Sequence, residues 1–291
     1  MVNRQYYSAR IGKNPEVVSF DLSMLSRLFR DIYLEFMSND YFQEAFGYEC
    51  IDDGKVLGKL GSDMEAQMFR ALRKPNLWPI QNECLNYTED DLFDVIELLH
   101  DWISKPTHGF EHTWNNCGWH YDRFDKEAGQ KEFRDKINEI ISEYKDGYEL
   151  SEIGEILERG EQGLETLFEA NLPTDEPENI EKRIEAAILK FRNYRSSLND
   201  KHDAIRDLVD VLEFLKSRIK KEKVITSNDE SDLFNIANNF GIRHHNERQK
   251  TDFDQAIWYS WMFYYYLATI HACLRLINKA DVDKSKNSDC F

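Results

Sequence analysis

Apolar residues recur at three- and four-residue intervals through most of this chain. Leu22, Leu25, Leu28, Phe29, Ile32, Tyr33 and Phe36 keep that spacing, and it predicts a helix from Asp21 to about Met37. A second helix is expected over 62–74, ahead of the breakers Pro75 and Pro79. Thr88 and Asp91 have the spacing of a capping box before a helix over 89–103. Another helix covers 126–145 and ends at Gly147. Between these, 46–61 reads as a loop or loose hairpin around Asp53-Gly54. Residues 104–125 show no clean period and read as a loop or turn cluster. Residues 148–156 read as a short strand or turn entering a helix that reaches about 169.

The C-terminal part keeps the helical period more strictly. Four helices are expected, over roughly 177–198, 201–221, 229–246 and 254–278. Short connections favour antiparallel packing. The stretch Asn171-Leu-Pro-Thr-Asp-Glu-Pro has the composition of a linker and sets the expected domain boundary. The expected fold class is therefore all-α in the main. A mostly helical N-terminal domain, 1–170, precedes a four-helix bundle, 171–280, and a disordered tail, 281–291.

Composition narrows the setting. The apolar share of 41% and aromatic share of 13% belong to a folded chain. The formal net charge of -17 excludes broad, sequence-blind binding to a nucleic-acid backbone, though it allows a local basic pocket. Residues 141–180 carry twelve acidic side chains against one Lys and one Arg, the pattern of a solvated face and a linker. Five cysteines stand at 50, 84, 117, 273 and 290, with no CxxC pair and no apolar leader. Reduced thiols and a cytoplasmic location are the expectation. Ala256–Leu274 lacks Asp, Glu, Lys and Arg, but its two Trp and four Tyr suit a buried helix better than a membrane span, so no membrane partner is expected.

Three constellations can carry chemistry. The first is Arg243-His244-His245-Asn246, late in the third bundle helix, with Arg248 and Gln249 one turn on. Histidine serves as acid and base near neutral pH, and arginine stabilises developing phosphate charge. The competing reading is a helix end whose basic side chains face the helix dipole. The second is Arg195 and His202, with six residues between them, at the junction of the first two bundle helices; Arg206 follows one turn later. Here the competing reading is a set of surface residues flanking a turn. The third is His108, His112, Cys117 and His120 within thirteen residues, four borderline ligands suited to a tetrahedral metal site. Its competitor is an aromatic-rich packed loop whose histidines bond to backbone.

The residues also carry a resemblance. The segments 6–29, 90–106 and 129–156 are similar to the N-terminal domain of AbiJ-type abortive-infection proteins. The segments 201–216, 233–249 and 257–277 resemble a helical domain of the HEPN superfamily. That resemblance implies a four-helix bundle acting as a dimeric, metal-independent endoribonuclease in phage defence, with RNA as substrate and no cofactor. It also implies an Arg followed by a polar residue, with four to six residues between that Arg and a His. Arg243-His244 matches the front of that signature, but positions 248, 249 and 250 are Arg, Gln and Lys. Arg195 and His202 satisfy the spacing, with Ser196 after the Arg. The alternative is a non-catalytic defence module that senses or binds a regulatory partner protein or small ligand.

Overall fold

Asp21 starts the first long helix by accepting a hydrogen bond from the Met24 amide at 2.7 Å, the role of an N-cap carboxylate. The structure, a computed structural model, describes residues 7–12, 21–161, 163–222, 226–242 and 252–288. The chain is mainly helical and divides into two compact units, Met1–Arg159 and Gly160–Phe291.

In the first unit a short helix α1 (Tyr7–Arg10) precedes α2 (Leu22–Ser38), α3 (Gln43–Phe46), α4 (Met64–Leu72), α5 (Ile80–Glu83), α6 (Glu89–Trp102) and α7 (Lys126–Ile141). The apolar faces of α2, α6 and α7 form its core. Leu25, Phe29, Leu92, Ile96, Phe133 and Ile137 are all fully buried there. The Thr88–Asp91 capping box is present in full at the start of α6.

Three two-stranded antiparallel hairpins complete the unit: β1 (Gly47–Cys50) with β2 (Gly54–Leu57), β3 (Lys105–His112) with β4 (Gly118–Asp125), and β5 (Tyr148–Leu150) with β6 (Ile156–Glu158). The β3–β4 hairpin occupies the segment read as loop. Its register shifts twice, between Pro106 and His108 and between His108 and Gly109, and such bulges erase the two-residue alternation that marks a strand. The helix expected to reach 169 is also absent among the described residues, which after β6 form a 3-10 turn, Glu165–Leu167.

The second unit contains α8 (Lys182–Arg192), α9 (Leu198–Glu222), α10 (Ser227–Asn239) and α11 (Gln255–Ser288). The helix α9 supplies the centre of the core: Ala204, Ile205, Leu208, Val209, Val211, Leu212 and Leu215 are fully buried. Phe263 of α11 stacks on Phe191 of α8 at 3.9 Å between ring centroids. The expected boundary at 170/171 falls inside this unit. Phe168 packs against Tyr264 with ring centroids 5.4 Å apart, and the Glu161 amide donates to the Tyr264 hydroxyl at 2.8 Å. Residues 281–288, expected as disordered tail, continue α11. Among the described residues no helix is long and apolar enough to cross a membrane. Met262, Tyr266 and Ile270 of the uncharged segment are instead buried in the core of the unit.

Candidate functional site

Strand alternation brings the first candidate site together. On β1, Tyr48 and Cys50 share one face; on the β3–β4 hairpin, Phe110, His112 and His120 share another. The two faces meet. The His120 ring lies 4.3 Å from the Tyr48 ring, 5.1 Å from Phe110 and 5.2 Å from His112. Cys117 arrives through the 3-10 turn Trp114–Asn116, and Gly118 then takes φ +96, a conformation a side chain would strain, so that the chain reverses into β4. Gly109 is needed for a different reason: a Cβ there would sit 2.3 Å from the His120 carbonyl oxygen.

The result is a cluster of four donors, Cys50, His112, Cys117 and His120, whose ligand atoms all lie within 4.8 Å of one another. Cys117 Sγ is 3.2 Å from His120 Nε2, and Cys50 Sγ is 3.8 Å from His112 Nδ1. On the other side of the His112 ring, Nε2 lies 3.3 Å from Asp52 Oδ2. Around the cluster, the amide of Gln43 clamps β4 at two points: Nε2 donates to the Trp119 carbonyl at 2.9 Å, and Oε1 accepts from the Tyr121 amide at 2.8 Å.

Three of the four residues expected as metal ligands are in this cluster. His108 is not. The register shift beside it turns its side chain outward, where Nδ1 meets Asp122 Oδ1 at 2.7 Å in an exposed pair. Cys50 takes the fourth position. It stands 62 residues before His112, so no local spacing pattern could join the two.

The second candidate region lies at one end of the helical unit. The helix α8 stops at Arg192, earlier than the apolar period suggests. The following turn is held by the Asn193 side chain, which accepts from the Arg195 amide at 3.0 Å. Ser197 and Asp200 then cap α9 reciprocally, with bonds of 2.8 Å and 3.2 Å. Arg195 therefore sits in the turn, its guanidinium 5.1 Å from the Tyr194 ring. His202, at the start of the second turn of α9, points across the unit: Nε2 lies 3.3 Å from the Gly241 carbonyl oxygen, and the ring meets Tyr259 edge-on at 5.8 Å. Arg206 pairs with Asp203 at 3.5 Å. The residues Arg243, His244, His245, Asn246 and Gln249 lie outside the described residues.

Elsewhere in this unit His271, Arg275 and Lys279, four residues apart on α11, line a 530 Å³ cleft with Asn171. In the first unit a 570 Å³ cleft is lined by Glu35, Tyr41, Lys105 and Glu132. There the Lys105 ammonium, 2.6 Å from Glu132, and the Tyr41 hydroxyl hold the Glu132 carboxyl below its usual range.

No protein-family model, curated protein or solved structure matches the chain.

Proposed function

We propose that the chain is a defence-type endoribonuclease whose helical unit, similar to a HEPN bundle, cleaves RNA without a metal ion in the chemical step. The observation that carries the reading is the reach of His202 to the Gly241 carbonyl at 3.3 Å. Gly241 stands two residues before Arg243 in the chain, so an Arg–His pair with the signature spacing approaches the segment that leads into Arg243-His244-His245-Asn246.

The chemistry follows from the residue types. A histidine takes the proton of the RNA 2′-hydroxyl while that oxygen attacks the adjacent phosphorus, and a protonated group gives a proton to the departing 5′-oxygen. His244, His245 and His202 are the candidates for these two roles. Arg243 or Arg195 stabilises the charge that builds on the phosphorane, and Asn246 orients the substrate. The products are a 2′,3′-cyclic phosphate and a 5′-hydroxyl end. The cleft bearing His271, Arg275 and Lys279 offers local cations for the RNA backbone on a chain of net charge -17.

A homodimer through the helical unit belongs to this reading. The face of α11 that carries Ile257, Trp258 and Trp261 leaves those side chains 66%, 38% and 44% exposed. The same face favours a second reading, a non-catalytic module that binds a regulatory protein.

The test is expression in cells, with growth and RNA integrity scored together. Wild type should arrest growth and leave RNA ends with 2′,3′-cyclic phosphate. The double variant Arg243→Ala/His245→Ala, and separately His202→Ala, should lose both effects while remaining folded. Unchanged cleavage in the double variant and in His202→Ala would remove these residues from catalysis. Intact RNA with wild type, together with co-purification of one defined partner, would favour the binding module.

A further inference from the structure

We propose that Cys50, His112, Cys117 and His120 form a closed zinc site that joins the β1–β2 and β3–β4 hairpins of the first unit. This goes beyond the ribonuclease reading, which concerns the other unit and needs no metal.

The burial pattern separates a metal site from ordinary packing. Along β1, β2, β3 and β4 only Cys50 and His120 are buried; every other strand residue is intermediate or exposed. A two-stranded hairpin has little stability of its own in water. Hairpins held by a hydrophobic core would bury Val, Leu or Phe on one face. These hairpins instead bury a thiol and an imidazole, and set a second thiol and a second imidazole beside them.

The distances suit one small ion. A tetrahedron with metal–sulfur bonds of about 2.3 Å and metal–nitrogen bonds of about 2.05 Å has sulfur–nitrogen edges of about 3.6 Å. Two of the sulfur–nitrogen separations, 3.2 Å and 3.8 Å, bracket that edge. An isolated pair of thiol–imidazole hydrogen bonds does not require both pairs to converge within 4.8 Å.

Donor chemistry selects the ion. Two sulfurs and two imidazole nitrogens exclude calcium and magnesium, which take oxygen ligands, and match zinc. His112 presents Nδ1 to the cluster because Nε2 faces Asp52 Oδ2 at 3.3 Å, the outer carboxylate that fixes the tautomer of a zinc-bound histidine. His120 presents Nε2. Four protein ligands leave no open position, so the ion holds structure and activates no water. Binding releases the two thiol protons as Cys50 and Cys117 become thiolates.

The experiment uses the full chain, purified without chelator and desalted, with metal content measured by mass spectrometry. About one zinc per chain is expected. Cys50→Ser and His120→Asn should fall close to zero, whereas His108→Asn should keep the wild-type content. Because a ligand variant can fail to fold, the wild-type chain supplies a second readout. A thiol-alkylating reagent should spare Cys50 and Cys117 in the metal-loaded protein and label both after zinc is stripped. Cobalt added to the stripped protein should restore protection and give the absorption of a tetrahedral thiolate complex. The assignment is overturned by wild-type protein that holds no zinc and gives no cobalt–thiolate band. It is equally overturned by His108→Asn losing the metal while Cys50→Ser keeps it, or by a Cys50–Cys117 disulfide in protein kept under cytosolic redox conditions.

Discussion

Asp52 backs His112 from the side opposite Cys50, with its Oδ2 3.3 Å from Nε2 while Nδ1 faces Cys50 Sγ at 3.8 Å. A carboxylate in that position makes the ring a better and better-oriented ligand. Asp52→Asn should therefore weaken zinc affinity about tenfold, the lower end of what outer-shell partners contribute, because the carboxylate is 65% exposed. Competition with a chromophoric chelator measures it. Unchanged affinity would mean that packing against His120 alone orients the ring.

His100 is 1% exposed, and neither ring nitrogen has a hydrogen-bond partner. Burial pushes its pKa below the usual 6.5, so the native state keeps it neutral. The unfolded chain binds a proton that the folded chain refuses. The stability tied to this group is thus present above about pH 6.5 and is lost as pH falls through the folded pKa. Urea unfolding of wild type and His100→Leu at pH 7.5 and pH 5.5 should show the steeper loss in wild type. Parallel losses would assign the acid sensitivity to other groups.

Phe263 is fully buried and stacks on Phe191 at 3.9 Å with 12° between the rings. Truncation removes that contact and leaves a cavity between α8 and α11. Phe263→Ala should cost about 3–5 kcal/mol, read from the unfolding transition of the helical unit. A cost below about 1 kcal/mol would mean that the core closes over the gap.

Trp258 and Trp261 meet edge-on at 5.4 Å, and Trp261 stacks on Tyr265 at 5.3 Å, yet both tryptophans stay partly exposed. A large aromatic face of this kind suits a second copy of the chain. Trp261→Glu should convert a dimer to a monomer in light scattering, with little change in thermal stability. A wild-type monomer, or a variant that remains dimeric, would move the proposed dimer contact elsewhere.

The helices were legible because their apolar period is long and their caps are local. Thr88 with Asp91 marked the start of α6 three residues apart, and the spacing of Leu208, Leu212 and Leu215 marked the buried face of α9. The end of α8 was not legible, since Tyr194 continues the period beyond Arg192 while Asn193 and the Ser197–Asp200 cap break the helix through side-chain hydrogen bonds. The β3–β4 hairpin was hidden for a related reason. Its bulges shift the register, and its buried position is a histidine where a strand pattern would show an apolar residue. Of the metal cluster, the local triplet His112, Cys117 and His120 could be read from spacing. Replacing His108 with Cys50 required the tertiary fold.

The distant ligand has a consequence for how the protein is made. During synthesis Cys50 leaves the ribosome long before His112, Cys117 and His120, so the first hairpin waits while the next 62 residues are added. Closing so long a span is slow relative to forming α2 or α6, whose contacts are local. The nascent first unit then passes through an interval in which its helices can form while one sulfur ligand has no partners. Zinc supply at that moment, and the protection of a single unpaired cysteine from oxidation, would govern how much of the chain reaches its native form.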